Sequence, residues 1–289
     1  MQNSLHQKGV IRRASHPLGI TKNRAKKMLR YKITALVVLL CLYPPQSHSF
    51  DNENPTVFIT GSNRNIGLEF VKQFVENNWN VIATARNPEE AKELQIIAAE
   101  QDNVVIEQLD VTDHEQIESL AEKYKDQPID ILLNNAAKTP RYKSAFKKIK
   151  GVDFDIARSS FEINVLGPLK LIQSFMPNVE KSQGKKIIAL SSKVGSFGER
   201  PKIPFMYSYS ISKAALNSLL HTLSFESKRK NIVVVAISPG MVNTTPGMKL
   251  LGAIEIKESV TKMMQVIDDL TMADNGHFID YEDGRQLAW

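Results

Sequence analysis

Cysteine is all but missing from this chain of 289 residues, the single one being Cys41. No disulfide can close within the chain, and everything after Cys41 lacks a thiol for a zinc site or for nucleophilic attack. Histidine is scarce as well: six are scattered (His6, His16, His48, His114, His221, His277) without a ligand spacing such as HExxH, so no metal is expected. No apolar run approaches the ~20 residues that a bilayer-spanning helix needs. Acidic side chains are absent from the first 50 residues, which carry nine Lys or Arg. From Asp51 onward 28 basic residues face 31 acidic ones, so the formal charge of +6 belongs to the N-terminal segment and the body is mildly acidic. A body of that sign has no electrostatic footprint for DNA or RNA, and no nucleic-acid partner is expected. With 42% hydrophobic residues, that body can bury a core held by packing alone.

The basic segment has an order of its own. Arg30 and Lys32 precede an apolar run, residues 33–43 (ITALVVLLCLY), and Pro44-Pro45 and Ser47-His48-Ser49 follow it. Basic flank, short apolar centre, helix breaker and small residues before a cut after Ser49 describe a secretory signal. Residues 1–49 therefore read as a cleavable leader, with Met28 as its natural start, and export is the expected localisation. An organellar presequence or an uncleaved cytoplasmic tail is the alternative. Removal of the leader leaves no stable membrane span.

Residues 50–289 read as one domain. Short β-branched runs at 56–60, 80–85, 104–108, 129–133, 186–190 and 232–237 predict strands, and runs such as IDILL and IVVVAI suit strands covered on both faces. Amphipathic stretches at 66–77, 88–100, 113–125, 153–179 and 207–230 predict helices, with Asn87-Pro88 and Thr112-Asp113 as start signals. Strand and helix in alternation predict an α/β fold: a doubly wound parallel sheet of Rossmann type in three α/β/α layers.

The first strand runs into Thr60-Gly61-Ser62-Asn63-Arg64-Asn65-Ile66-Gly67 and then a helix. Glycines there let the backbone turn sharply and approach a pyrophosphate, which meets free N–H groups and the positive end of the helix dipole. Gly61, Asn63, Arg64, Asn65, Ile66 and Gly67 are accordingly candidate cofactor residues. Where an NAD-preferring protein would place an acid on the ribose 2′-hydroxyl, the second strand ends in Ala85-Arg86. A guanidinium can pair with a 2′-phosphate, so Arg86 favours NADP(H) over NAD(H). Tyr209 and Lys213, four apart, share one helix face, where a lysine can lower the pKa of a phenol from its ordinary ~10. Ser192 ends the fifth strand, at the sheet edge where a hydroxyl can hold a substrate carbonyl. Ser191 is expected to be structural.

These pieces resemble the short-chain dehydrogenase/reductase family. The glycine loop is similar to its TGxxxGxG pattern with Asn65 at the middle glycine, a residue that tolerates left-handed backbone angles. Asn134-Asn135-Ala136-Ala137 is similar to its NNAG motif, and Ser238-Pro239-Gly240-Met241-Val242-Asn243-Thr244 to its PGxVxT segment. The resemblance implies that Asp110, with Val111, meets the adenine and that Asn135 and Ala136 lie near the ribose. It also implies that Pro239, Gly240, Val242 and Thr244 cover the nicotinamide, with residues 245–252 as a substrate lid. Asn164 looks like the fourth member of a catalytic tetrad with Ser192, Tyr209 and Lys213, holding a water that links the lysine to solvent. The tail, with residues 275–281 and 287–289, and the long spacing from Ser192 to Tyr209 resemble the C-factor and sniffer-type carbonyl reductases. The implied activity is reduction of a small-molecule carbonyl, with Lys213 also contacting the cofactor. A dinucleotide-binding signalling protein of C-factor type is the alternative. That family also allows a homodimer or homotetramer.

Overall fold

The computed structural model describes residue 50, residues 53–140 and residues 145–289. The leader expected over residues 1–49 lies outside the described residues. Among those described, no helix is long and apolar enough to cross a membrane.

Eight strands form one sheet: β1 (Thr56–Ile59), β2 (Asn80–Ala85), β3 (Val104–Gln108), β4 (Ile131–Asn134), β5 (Lys186–Leu190), β6 (Val233–Ser238), β7 (Phe278–Asp280) and β8 (Gln286–Leu287). Their order is β3-β2-β1-β4-β5-β6-β7-β8, parallel throughout except for β8, which returns antiparallel along β7. The direction of winding reverses between β1 and β4, so the crevice beyond their C-terminal ends is where such a sheet takes a ligand.

Alternate residues of each strand feed two cores. On one face Val57, Ile59, Val81 and Ala83 meet Phe70, Val71 and Phe74 of α1 (Asn65–Glu76), Leu94 of α2 (Lys92–Glu100) and Val260 and Met263 of α7 (Ile256–Asp269). On the other, Phe58, Ile82, Leu132, Ile187 and Val234 meet Ile117 of α3 (His114–Lys123), Phe175 of α5 (Gly167–Lys181) and Leu216 and Leu220 of α6 (Tyr207–Ser227). Phe58 and Phe175 pack at a centroid distance of 4.6 Å, locking the sheet to α5. Near-continuous apolar strands are what this double burial requires.

Three expectations change. The helix expected over 153–179 is interrupted: α4 (Phe154–Phe161) passes through a π-helical turn (Glu162–Leu166) before α5. Asn87 supplies no side-chain cap, and residues 88–90 form a separate 3₁₀ turn ahead of α2. Helix α7 and strands β7 and β8 go beyond the expected set, the strands being only three and two residues long. Asp113 does cap α3, its carboxylate accepting the Gln116 N–H.

Candidate active site

The dinucleotide end is built by close approach. Gly61 has φ +68°, and a Cβ there would stand 3.0 Å from Ala136 Cα. Gly67 is tighter still: a Cβ would lie 2.2 Å from the Gly61 carbonyl oxygen and 2.5 Å from Asn135 Nδ2, so only glycine fits. Asn65 takes φ +50°, the left-handed angle that its side chain tolerates. Thr60 Oγ1 accepts the N–H groups of Asn135 and Ala136, both at 3.0 Å. Asn135 Nδ2 in turn donates to the carbonyls of Thr60 (2.7 Å) and Gly61 (3.0 Å). The loops after β1 and β4 are thus stitched together across the crevice. Helix α1 starts with no capping side chain, the arginine at its N-cap having no acceptor to offer, and no acid lies in its first turn. That leaves its N-terminal N–H groups and dipole suited to an anion, with Ile66 in the first turn and exposed Asn63 and Arg64 beside them.

Arg86 is exposed at the end of β2 and lines a groove with Gln108, Asp110 and Thr112. Asp110 is oriented: its Oδ1 accepts the Thr112 N–H (3.0 Å) and hydroxyl (2.8 Å), and its own N–H donates to Gln116 Oε1. Val111 is buried against Gly167, where a Cβ would come within 2.8 Å of the Val111 carbonyl oxygen.

The catalytic candidates converge at the ends of β5 and α6. Ser192, whose Oγ accepts the Val194 N–H at 3.4 Å, stands close enough to Tyr209 to act on its hydroxyl. Ser191, buried, donates instead to Asn217 Oδ1. Lys213 is 2% exposed; its Nζ donates to the Leu190 carbonyl at 2.6 Å and lies 5.8 Å from the Tyr209 ring centroid. Burial lowers the lysine from its ordinary 10.5 to about 7. Burial raises Tyr209 to about 12, against the opposing pull of the Ser192 hydrogen bond. The expected lowering of the phenol by a lysine cation is therefore not what the protein's own groups produce. The cost of desolvating the ammonium is offset only by a neutral carbonyl, and no carboxylate is among the groups acting on it. What results is a tyrosine held as a phenol at neutral pH.

Asn164 sits in the π turn, not in a regular helix, and its side chain is wholly buried. Its Oδ1 accepts the Lys138 N–H (2.7 Å), while Nδ2 donates to the Lys138 carbonyl (3.2 Å) and to Ser212 Oγ (2.9 Å). With the side chain spent on positioning, the backbone carbonyl is the group suited to a water. Pro168, four residues on, has no N–H to give the bond that an α-helical register would bring to that carbonyl. Ser212 Oγ donates to the Tyr209 carbonyl at 2.8 Å, so Asn164 also steadies the turn carrying Tyr209 and Lys213. Sequence reasoning missed Lys138 and Ser212. The hydroxyl three residues after Tyr209 was the available signal, since serine in a helix bonds back to such a carbonyl.

Past β6, Gly240 has φ +78° and carries the Tyr281 ring, to which a Cβ would come within 2.6 Å. The Pro239 carbonyl accepts Ser259 Oγ (2.7 Å), and Thr244, exposed, donates its N–H to the Val242 carbonyl. Val242 pairs with Ile254, closing the base of the loop over 245–252. That loop holds a 3₁₀ turn, Met248–Leu251, between Gly247 (φ +90°) and Gly252 (φ +83°). Asp280, which ends β7, is buried and takes Lys193 Nζ at 2.5 Å, beside Ser192.

A family model described as short chain dehydrogenase matches residues 55–253. An oxidoreductase of Schizosaccharomyces pombe is 33% identical over 249 residues, 79% of this chain and 96% of its own. The carbonyl reductase Sniffer of Drosophila melanogaster superposes with a TM-score of 0.74 at 29% identity, covering 82% of this chain and 100% of that one. An NADPH-bound carbonyl reductase from chicken fatty liver gives a TM-score of 0.74 at 32% identity, with 82% and 99% covered.

Proposed function

Because the chain belongs to the short chain dehydrogenase family, we propose that it is an NADPH-dependent reductase that converts an aldehyde or ketone to an alcohol. The observation that carries this reading is the convergence of Ser192, Tyr209 and Lys213 with Tyr209 held as a phenol. A phenol that keeps its proton at neutral pH suits reduction, in which the carbonyl oxygen must receive one. The carbonyl reductases of fly and chicken, alike over the whole domain, support the same direction.

The residues present fit the cofactor. The uncapped start of α1 and Arg64 would hold the pyrophosphate, and Arg86 the 2′-phosphate. Asp110 would take the adenine end, and Asn135, Ala136 and Lys213 the riboses. Pro239, Gly240, Val242 and Thr244 would border the nicotinamide, and NADPH, when bound, supplies the hydride. Ser192 and Tyr209 then hold the carbonyl oxygen between two hydroxyls, polarising it. Tyr209 gives its proton to that oxygen and is reprotonated through Lys213 and a water on the Asn164 carbonyl.

The test is a fluorescence titration with NADPH and NADH, then consumption of bound cofactor against a panel of aldehydes and ketones. Tight NADPH binding with turnover is expected. Tight binding without turnover on any carbonyl would replace this reading with that of a dinucleotide-binding signalling protein.

A further inference from the structure

Ser192 and Tyr209 stand at opposite ends of one loop, and the first part of that loop is stiff. The Gly195 N–H donates to the Ser192 carbonyl at 2.9 Å and the Ser196 N–H to the Lys193 carbonyl at 3.1 Å, which closes a 3₁₀ turn, Lys193–Gly195. The turn is pressed on the catalytic helix: a Cβ on Gly195 would stand 2.7 Å from Lys213 Cβ, and Ser210 Oγ donates to the Val194 carbonyl at 2.7 Å. A packed, hydrogen-bonded turn moves as a unit, so a displacement at Ser196 is passed to Ser192.

The far side of the turn is gripped by two residues from beyond β8. Ser196, wholly buried, donates Oγ to the Ala288 carbonyl at 2.7 Å and accepts the N–H groups of Gly198 and Glu199 at 3.0 and 2.9 Å. The Phe197 N–H donates to the backbone oxygen of Trp289 at 3.1 Å, and the Ala288 N–H donates to Glu199 Oε1 at 3.2 Å. All three bonds from residues 288–289 to this loop fall within the four residues that follow the turn. The Trp289 ring anchors the grip, stacked on Phe278 of β7 at 5.7 Å and edge-on to His221 of α6 at 5.4 Å. The fit is close: a Cβ on Gly198 would stand 2.6 Å from Ala288 Cβ, while its next neighbour, Ser196 Oγ, is 3.8 Å away.

Resting on the reductase reading for the roles of Ser192 and Tyr209, we infer that residues 288–289 form a clasp that positions Ser192. Ala288 and Trp289 hold the loop through Ser196, Phe197 and Glu199, and so keep the serine hydroxyl in register with that of Tyr209 around the substrate carbonyl. They are positioning residues, acting through Ser192.

The test is a wedge and its repair. Gly198→Ala drives a methyl group onto Ala288; adding Ala288→Gly removes the obstacle and leaves only ordinary contacts. Turnover of the aldehyde or ketone that the wild type reduces best is expressed per NADPH-binding site, counted by fluorescence titration, so that any unfolded fraction drops out. Gly198→Ala should lower kcat per site about tenfold with NADPH affinity unchanged, since a misplacement of about 1 Å can cost up to about a hundredfold. The double variant should recover most of that loss. Trp289→Ala should also lower kcat per site, whereas Trp289→Phe, which keeps a ring on Phe278, should stay near the wild type. A wild-type kcat per site in either Gly198→Ala or Trp289→Ala, or a loss that Ala288→Gly does not repair, overturns the clasp; fewer sites of full activity would make the two residues merely structural. A wild type that binds NADPH but reduces no carbonyl removes the reductase reading, and the clasp is then read from amide exchange over residues 193–199. Exchange about tenfold faster in Gly198→Ala and restored in the double variant supports it, and equal exchange in all three proteins overturns it as well.

Discussion

In the proposed mechanism burial keeps the proton on Tyr209, and Ser192 shares the oxygen that Tyr209 would protonate. Replacing it with phenylalanine removes the donor and little else. Tyr209→Phe should therefore lower kcat by ~10²–10⁴, the usual contribution of general acid catalysis, while NADPH still titrates the protein. Full activity in that variant would sink the mechanism. Arg86 is proposed to act at the other end of the same cofactor. A charge-assisted hydrogen bond is worth ~1.5–3 kcal/mol, so Arg86→Ala should weaken NADPH by about ten- to a hundredfold and leave NADH nearly untouched. Equal losses for both dinucleotides would move Arg86 away from the 2′-phosphate. Gly67 shows why the glycine loop could be read from sequence: a Cβ 2.2 Å from a backbone oxygen leaves no alternative residue.

At the level of elements, β7 holds two parts of the site at once. Asp280 pairs with Lys193 next to Ser192, and the adjoining Tyr281 packs on Gly240. Removing the lysine strands a buried carboxylate whose remaining cation, Arg285, stands 3.7 Å away, whereas Asp280→Asn leaves a neutral amide. Lys193→Met should accordingly destabilise the protein more than Asp280→Asn does. A cost of about 1–3 kcal/mol is expected, below that of a fully buried pair because Lys193 is partly exposed. Urea unfolding of both variants checks the order, and equal losses would show the pair to be incidental. This brace was not legible in the sequence, because it joins residues 87 positions apart through a strand too short to carry a periodic pattern. The longer strands were legible through their apolar runs, and the glycine loop through its spacing. The π turn was not: Ile163, Val165 and Leu166 read as part of one continuous helix, and the widening shows only in the Gly167 N–H bonding back to the Glu162 carbonyl. Asparagine followed four residues later by proline was the trace it left.

Across the whole molecule, the parallel strands direct their C-terminal ends toward one edge, and the fold buries Lys213 there as part of the cost of assembling the site. Burial holds its pKa at about 7, against an ordinary 10.5. Between those values the unfolded chain binds a proton that the folded protein does not, so stability must rise with pH across that window. Below about 7 both states are protonated and the full penalty of a buried ammonium is present; above 10.5 both are neutral and it is gone. Every tenfold loss of proton affinity on folding corresponds to ~1.4 kcal/mol, which makes the effect measurable even when solvent entry reduces it. Lys213→Met has no proton to lose. Its stability advantage over the wild type should be largest near pH 6 and shrink steadily toward pH ~10, as read by denaturant midpoints across that range. A difference that does not vary with pH would mean that Lys213 keeps its charge in the folded state. Tyr209 would then have a nearby cation, and proton donation would lose the environment that favours it.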